Sequence, residues 1–263
     1  MAKHSAISAL FLLGCIQTTL AGAAQVFVVD PPQKGAADAP PTMTLLYGVN
    51  DPQVTLVAIP GGEGRIGLKE TSTGTRNPTA LMLSNLTRAD FATSRINVAI
   101  FDSPRDIYPY NLRRGADHQD RIDSVVRYYK TKFNKPVFLL GHSWGSVSVT
   151  EFINRSPENR GLLAGVITSA SLYEIEIKDG VNMPVLFLHH EQDDCRETQY
   201  GYAQKNFEKA KAANKAVTEF ATVKGGDQRG APCRDGRHMF FGAHEEAAKL
   251  IDQFIKRNSV TAE

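Results

Sequence analysis

One segment of the chain reads Val137-Phe138-Leu139-Leu140-Gly141-His142-Ser143-Trp144-Gly145-Ser146. It runs from an apolar stretch into the pattern Gly-x-Ser-x-Gly, and the residues after it, up to Ile153, can form a helix. A serine between a strand and a helix sits on a strained turn, where small residues two positions before and after it avoid clashes. The segment therefore predicts a strand–turn–helix unit that holds the Ser143 hydroxyl above the end of a buried strand.

Short apolar runs recur on both sides of this segment, with helical patterns between them. The strand candidates are Val26–Val29, Met43–Leu46, Val54–Ile59, Ile96–Phe101, Val137–Leu140, Leu163–Thr168, Val185–His189 and Val217–Val223. Most of them lack polar alternation, which is typical of a sheet buried on both faces, but the first two are shorter and could form an antiparallel edge. Apolar stripes at helical spacing predict core-facing helices around residues 122–129, 200–210 and 247–255. Strands that alternate with helices indicate one domain with a mainly parallel, doubly wound sheet of about eight strands and helices on both faces.

The segment from Val137 to Ser146 resembles the serine signature of the α/β-hydrolase family at every position. The order of strands and helices resembles that family over nearly all of the chain after residue 24. This resemblance implies the α/β-hydrolase fold and a serine hydrolase with Ser143 as nucleophile, followed along the chain by an acid and then a histidine. Lids of this family are often inserted between the sixth and seventh strands, where only residues 170–183 stand, so we expect little or no lid.

The resemblance implies that the acid lies in the turn after the seventh strand candidate. That turn reads Glu191-Gln192-Asp193-Asp194-Cys195. The distance from the end of the strand favours Asp193, with Asp194 as the alternative. Either aspartate could instead be a solvated turn residue or a helix cap near Glu197.

The resemblance also implies that the base lies between the last strand and the C-terminal helix, where His238 precedes Met239. This segment is similar to the His-Gly-Phe turn of many such hydrolases, with Met239 where glycine is usual. His244 is the second candidate because it falls at a helix start, where the helix dipole disfavours a protonated ring. We assign four other histidines to packing or to the surface: His118, His142, His189 and His190.

A glycine-rich stretch follows the third strand candidate, and Gly62, Gly64 and Gly67 match the pattern G-x-G-x-x-G. A dinucleotide site of this pattern needs a helix that begins at the third glycine, but residues 71–78 have the composition of a loop. A glycine-rich turn at the carboxyl end of a central strand can instead direct backbone N–H groups at a developing negative oxygen. We therefore expect the N–H groups of Gly62 and Trp144 to form an oxyanion hole.

The first 24 residues have the order of a secretory signal peptide: Lys3, an apolar run from Ala6 to Ile16, and small residues at 21–24. The apolar run is too short to span a membrane. Leu12-Leu13-Gly14-Cys15 is similar to a lipoprotein acylation site, but leucine is atypical at its second place, so a free secreted or periplasmic form is preferred. The predicted mature domain is then residues 25–263.

Two cysteines remain after the signal peptide, and a pair of cysteines in an exported protein indicates one disulfide. Cys195 lies two residues after Asp193, and Cys233 lies five residues before His238. A triad requires these two loops to meet, so a Cys195–Cys233 bridge would join the acid loop to the base loop.

Composition narrows the range of functions. The chain has 30 basic and 28 acidic residues, a formal net charge of +2, so it lacks the basic excess of a nucleic-acid-binding protein.

Taken together, the motifs and the resemblance predict a secreted serine hydrolase that cleaves a carboxylic ester through an acyl-enzyme, without a metal or an organic cofactor. A peptidase or amidase is the nearest alternative, because a triad alone does not separate esters from amides. A secreted binding protein without catalysis follows if Met239 distorts the histidine turn. The sequence does not indicate an oligomeric state.

Overall fold

The computed structural model describes residues 24–29, 40–69, 82–83, 95–108 and 110–259. The predicted signal peptide lies outside the described residues apart from Ala24, and Cys15 lies outside them as well. Within the described ranges, no helix combines the length and the apolar character that crossing a membrane requires.

Within the described residues eight strands form one sheet, and each of them overlaps a strand that the sequence predicts. They are β1 (Gln25–Val29), β2 (Thr42–Tyr47), β3 (Val54–Ile59), β4 (Ile96–Asp102), β5 (Val137–His142), β6 (Gly165–Ser169), β7 (Val185–His190) and β8 (Thr218–Val223). Their order across the sheet is β1-β2-β4-β3-β5-β6-β7-β8. Strand β2 runs antiparallel to β1 and to β4, and the other pairs are parallel, so the predicted antiparallel edge is confirmed.

The sixth strand begins two residues later than the sequence predicts. The Leu163 N–H donates to Arg160 O and so closes the preceding helical turn, and the ladder with β5 starts only beyond it. The described helices are α1 (Tyr110–Arg114), α2 (Ala116–Phe133), α3 (Gly145–Arg155), α4 (Pro157–Gly161), α5 (Tyr200–Ala213) and α6 (His244–Ser259), with a 3-10 turn at Gly236–Met239.

Hydrophobic cores lie on both faces of the sheet. On one face α6 packs Ile251 and Phe254 against strand residues such as Leu140. On the other face α2 and α3 pack residues such as Val125 and Phe152 against the alternate residues of the same strands. The predicted apolar stripes therefore face the sheet, and burial on both faces explains why the central strands carry almost no polar residues.

The segments that carry the predicted site residues all follow the carboxyl ends of parallel strands. These segments are the glycine-rich loop after β3, the turn after β5, the loop after β7 and the segment after β8. Parallel strands end at the same edge of a sheet, and ligands of open α/β sheets bind outside that edge. The fold thus brings four distant parts of the sequence to one place.

Candidate active site

Ser143 occupies a sharp turn between β5 and α3. Its φ is +53°, in the left-handed region that L-residues rarely adopt, and its N–H donates to Ser169 O at 2.8 Å. A Cβ on Gly141 would lie 2.2 Å from Gly145 O, and a Cβ on Gly145 would lie 2.2 Å from Ile59 O. Only glycine fits at these two positions, so the Gly-x-Ser-x-Gly pattern is a packing requirement of this turn.

Asp193 and His238 are buried and hydrogen-bonded to each other. His238 Nδ1 lies 2.9 Å from Asp193 Oδ2 and 3.2 Å from Oδ1. His238 Nε2 is also buried and has no hydrogen-bond partner among the described residues. Nε2 therefore makes no hydrogen bond to Ser143 Oγ in this structure.

Three further groups surround the Asp193 carboxylate. Thr198 Oγ1 donates to Oδ2 at 3.0 Å, the Cys195 N–H donates to Oδ1 at 3.0 Å, and His189 Nε2 lies 3.2 Å from Oδ2. Burial alone would raise the pKa of Asp193, but the hydrogen bonds from His189 and His238 outweigh it and hold the pKa well below its ordinary value. Asp193 is therefore ionised near neutral pH.

The sequence assigns His142 and His189 to packing or the surface, and the structure places both next to the Asp193–His238 pair. The ring centroids of His142 and His238 lie 5.0 Å apart, and His142 Nδ1 lies 3.0 Å from Ser169 Oγ. Burial lowers the pKa of His142, and the neighbouring His238 lowers it further. His142 thus packs against the predicted base as a neutral ring.

The two alternative residues lie elsewhere. Asp194 is exposed, and its carboxylate accepts a hydrogen bond from Gln228. His244 begins α6, and its ring packs on Phe241. Among the candidates from the sequence, the structure pairs Asp193 with His238.

The glycine-rich loop lies directly against the serine turn. A Cβ on Gly61 would lie 2.9 Å from Ser143 Cβ and 3.0 Å from His142 O, so this close approach requires glycine. Gly62 has a φ of +54°. Among the backbone hydrogen bonds that the turns and loops of the described residues make, none has the Gly62 N–H as its donor. The loop brings the backbone at Gly62 to the pocket that contains Ser143.

Two buried charged side chains fix this loop. The guanidinium of Arg113 donates from Nη2 to Gly62 O at 2.7 Å, and from Nη1 to Pro60 O at 3.2 Å and to Ser148 Oγ at 3.0 Å. Burial lowers the pKa of Arg113 to about 9, and Asp106 opposes that shift, so the group stays cationic at neutral pH.

Asp102 holds the other end of the loop. Its carboxylate accepts the N–H groups of Ile66, Gly67 and Leu68 at 2.6, 3.2 and 2.8 Å. Burial raises the pKa of Asp102, although the three N–H groups favour its ionised form. Arg113 and Asp102 escaped the sequence analysis, because an arginine in a polar helix and an aspartate after a strand look like surface residues.

A pocket of about 700 Å³ opens above Ser143. The glycine-rich loop, Tyr108, Trp144 and Met239 line it together with Cys195 and Cys233. These two cysteines form a disulfide bond. The bond joins the loop after β7 to the segment after β8, as the sequence predicts, and so links the loops that carry Asp193 and His238.

Solved structures with the same architecture share little sequence with this chain. A serine hydrolase of the α/β type without a lid, from Xanthomonas campestris, is 14% identical and aligns over 89% of this chain and 94% of its own, with a TM-score of 0.56. An esterase from Pyrococcus furiosus is 12% identical over 90% and 93% of the two chains, with a TM-score of 0.58. The chain has the α/β-hydrolase fold.

A dienelactone hydrolase from Anabaena variabilis shares this α/β-hydrolase fold at 12% identity, over 90% of this chain and 99% of its own, with a TM-score of 0.57. No protein-family model and no curated protein sequence matches the chain. Structural similarity at such low sequence identity establishes the fold alone, so the function has to be argued from the site.

Met239 departs from the histidine turn usual in the α/β-hydrolase family, and the structure accommodates it. After His238 the positive φ, +55°, falls on Phe240, and Met239 does not adopt a left-handed backbone. The Met239 side chain is buried and lines the pocket. His238 still reaches Asp193 from this turn.

Proposed function

We propose that the protein is a serine hydrolase that cleaves carboxylic esters. The observation that carries the proposal is the buried Asp193–His238 hydrogen bond at the edge of the sheet where Ser143 is held in a strained turn. Solved structures described as a serine hydrolase and as an esterase share the fold, which supports the proposal. The contact of His238 with Asp193, made from the segment that contains Met239, supports catalysis over a binding protein without catalysis.

In the proposed reaction, Ser143 Oγ attacks the carbonyl carbon of the ester while His238 Nε2 takes its proton. The hydrogen bond from Nδ1 to Asp193 keeps the other nitrogen, Nε2, unprotonated and stabilises the imidazolium that forms. His238 then gives the proton to the leaving alcohol, and an acyl-enzyme remains on Ser143. Water, activated by the same histidine, releases the acid.

The negative oxygen of the tetrahedral intermediate would be stabilised by the N–H groups of Gly62 and Trp144. Support comes from the contact between the glycine-rich loop and the serine turn, and from Arg113, which holds the Gly62 carbonyl from behind. Trp144 begins the turn into α3, so its N–H lies at a helix N-terminus, where partial positive charge favours an anion. Each such donor contributes about 3 kcal/mol to the transition state.

We also propose that the chain is exported, with residues 1–24 as its signal peptide. The disulfide between Cys195 and Cys233 supports this proposal, because such bonds persist in oxidising compartments and are rare in the cytosol.

A fluorophosphonate probe tests the catalytic proposal without presuming a substrate. We expect the probe to label the parent and a Ser124→Ala control, whose serine lies on α2 away from the pocket, but neither Ser143→Ala nor His238→Ala. The parent and the Ser124→Ala control should also hydrolyse short-chain nitrophenyl esters. In Ser143→Ala and His238→Ala, kcat should be lower by a factor of about 10⁴ or more. Nitroanilides of matched acyl groups distinguish an amidase. A folded, disulfide-bonded parent that is neither labelled nor active on esters would refute the proposal.

A further inference from the structure

The disulfide presents two arginines to the pocket. Arg196 and Arg234 each follow a bridged cysteine, and the Cα atoms of those cysteines are 4.6 Å apart. Consecutive Cα atoms are about 3.8 Å apart, so the Cα atoms of the two arginines lie within about 12 Å of each other. Both arginines are exposed, and both line the pocket that contains Ser143.

Neither guanidinium forms an ion pair or a hydrogen bond with the described residues. Among the described residues, no carboxylate lies within 4.0 Å of Arg196 or Arg234, and neither side chain makes a hydrogen bond. Several other exposed arginines of the described residues are paired with a carboxylate, for example Arg127 with Asp123 at 2.7 Å. Two unpaired cations on one wall of a pocket are a recognition surface for an anion, because an arginine fork matches the two oxygens of a carboxylate.

The acidic residue that follows Arg196 in the sequence is not paired with either arginine. Glu197 also lines the pocket, but its Oε2 accepts a hydrogen bond from the Trp144 indole at 2.9 Å and is not paired with either arginine. Glu63 and Arg65 also line the pocket and carry opposite charges. The part of the pocket around the disulfide, which we call the disulfide wall, therefore has one positive charge in excess, with Arg196 and Arg234 against Glu197.

We propose that Arg196 and Arg234 bind a carboxylate of the substrate, so that the preferred esters are those whose acyl part carries a second, free carboxylate, such as monoesters of dicarboxylic acids. The proposal rests on the proposed esterase function. A pocket of about 700 Å³ is large enough for a small diacid monoester that reaches from Ser143 to the disulfide wall. The cysteines thus hold the specificity wall as well as the loops of the triad.

The test compares the mono-p-nitrophenyl ester of glutarate with p-nitrophenyl valerate and with the neutral p-nitrophenyl methyl glutarate. We expect the parent to hydrolyse the glutarate monoester with a kcat/KM at least about tenfold above that of both neutral esters, and this preference should shrink with added salt. The double substitution Arg196→Gln and Arg234→Gln should abolish the preference, mainly through KM. Arg127→Gln, an exposed arginine on α2, should leave both the preference and the activity unchanged.

A binding measurement separates this inference from the proposed function. Glutarate should bind the Ser143→Ala protein in calorimetry, and the double arginine substitution in that background should abolish the heat of binding. Equal hydrolysis of the charged and neutral esters by an active parent, or a preference that survives the double substitution, would overturn the carboxylate subsite alone. Absence of hydrolysis of all three esters, together with absence of probe labelling, would instead overturn the esterase proposal.

Discussion

Arg113 offers a direct test of how the glycine-rich loop is positioned. The change Arg113→Met keeps an unbranched side chain as far as the position of Nε and removes all of its donors. It deprives Pro60 O and Gly62 O of their partners, whereas Ser148 Oγ keeps His118 Nε2 at 2.9 Å. Pro60 is buried, and a buried carbonyl without a partner destabilises the fold by about 1–3 kcal/mol, whereas water can replace the lost donor at the exposed Gly62. Removal of a buried cation offsets part of this loss, so we expect the free energy of unfolding to fall by about 1–2 kcal/mol.

The effect on catalysis should be separate from the effect on stability. If the guanidinium holds the Gly62 peptide in place, its loss costs roughly one oxyanion donor, and kcat should fall about 10²-fold with little change in KM. Arg113→Lys should recover part of kcat, since one ammonium reaches one of the two carbonyls. The assay is steady-state hydrolysis of a nitrophenyl ester below the unfolding transition, alongside urea unfolding.

Arg121 provides a matched control. It is equally buried, and its Nη1 donates to Pro40 O at 2.9 Å and to Thr42 Oγ1 at 3.0 Å, away from the pocket. Arg121→Met should destabilise the protein by a similar amount and leave kcat within about twofold of the parent. A kcat for Arg113→Met as high as that of Arg121→Met would refute the positioning role and leave Arg113 as a structural residue.

Three other measurements follow from the structure. Replacing Cys195 and Cys233 by alanine opens a loop with a sequence separation of 38, which should lower the free energy of unfolding by about 4 kcal/mol in urea titrations; an unchanged midpoint would contradict this. Burial, with the charges of Arg113 and Arg121, lowers the pKa of His118, so below pH of about 6.5 the unfolded chain binds a proton that the folded chain does not. Stability should therefore fall as the pH drops from 7 to 5, and His118→Gln should reduce that slope by up to about 1.4 kcal/mol per pH unit, whereas an identical slope would exclude His118. Gly145→Ala should destabilise by about 2–3 kcal/mol because its Cβ would meet Ile59 O, whereas Gly201→Ala, with open space, should be neutral or slightly stabilising in the same thermal melts.

The features that the sequence predicts correctly are the local ones. Each central strand is a continuous apolar run, and such a run predicts a strand that is buried on both faces of the sheet. The glycines around Ser143 are visible because the clash that they avoid lies within five residues or at the neighbouring strand. The choice between Asp193 and Asp194 stays open in the sequence, since adjacent turn residues point in different directions and only the fold decides which one meets His238.

The residues that the sequence does not reveal act over long separations. Arg113 contacts carbonyls 51 and 53 positions away, and Asp102 contacts N–H groups 34 to 36 positions away. No local pattern encodes such a partner. The short helix α4 is a different case, because Ser156 caps it and Pro157 stands at its first turn, a start signal that was available in the sequence.

The left-handed backbone at Ser143 sets the proposed catalytic role of this serine against the thermal stability of the fold. A non-glycine residue in that region is held there at about 1–2 kcal/mol, and glycine would relax it. A library screened only for survival at high temperature would therefore enrich Ser143→Gly and discard the hydroxyl. A directed-evolution experiment that aims to raise the thermal stability of this protein therefore has to select for catalytic activity in the same round.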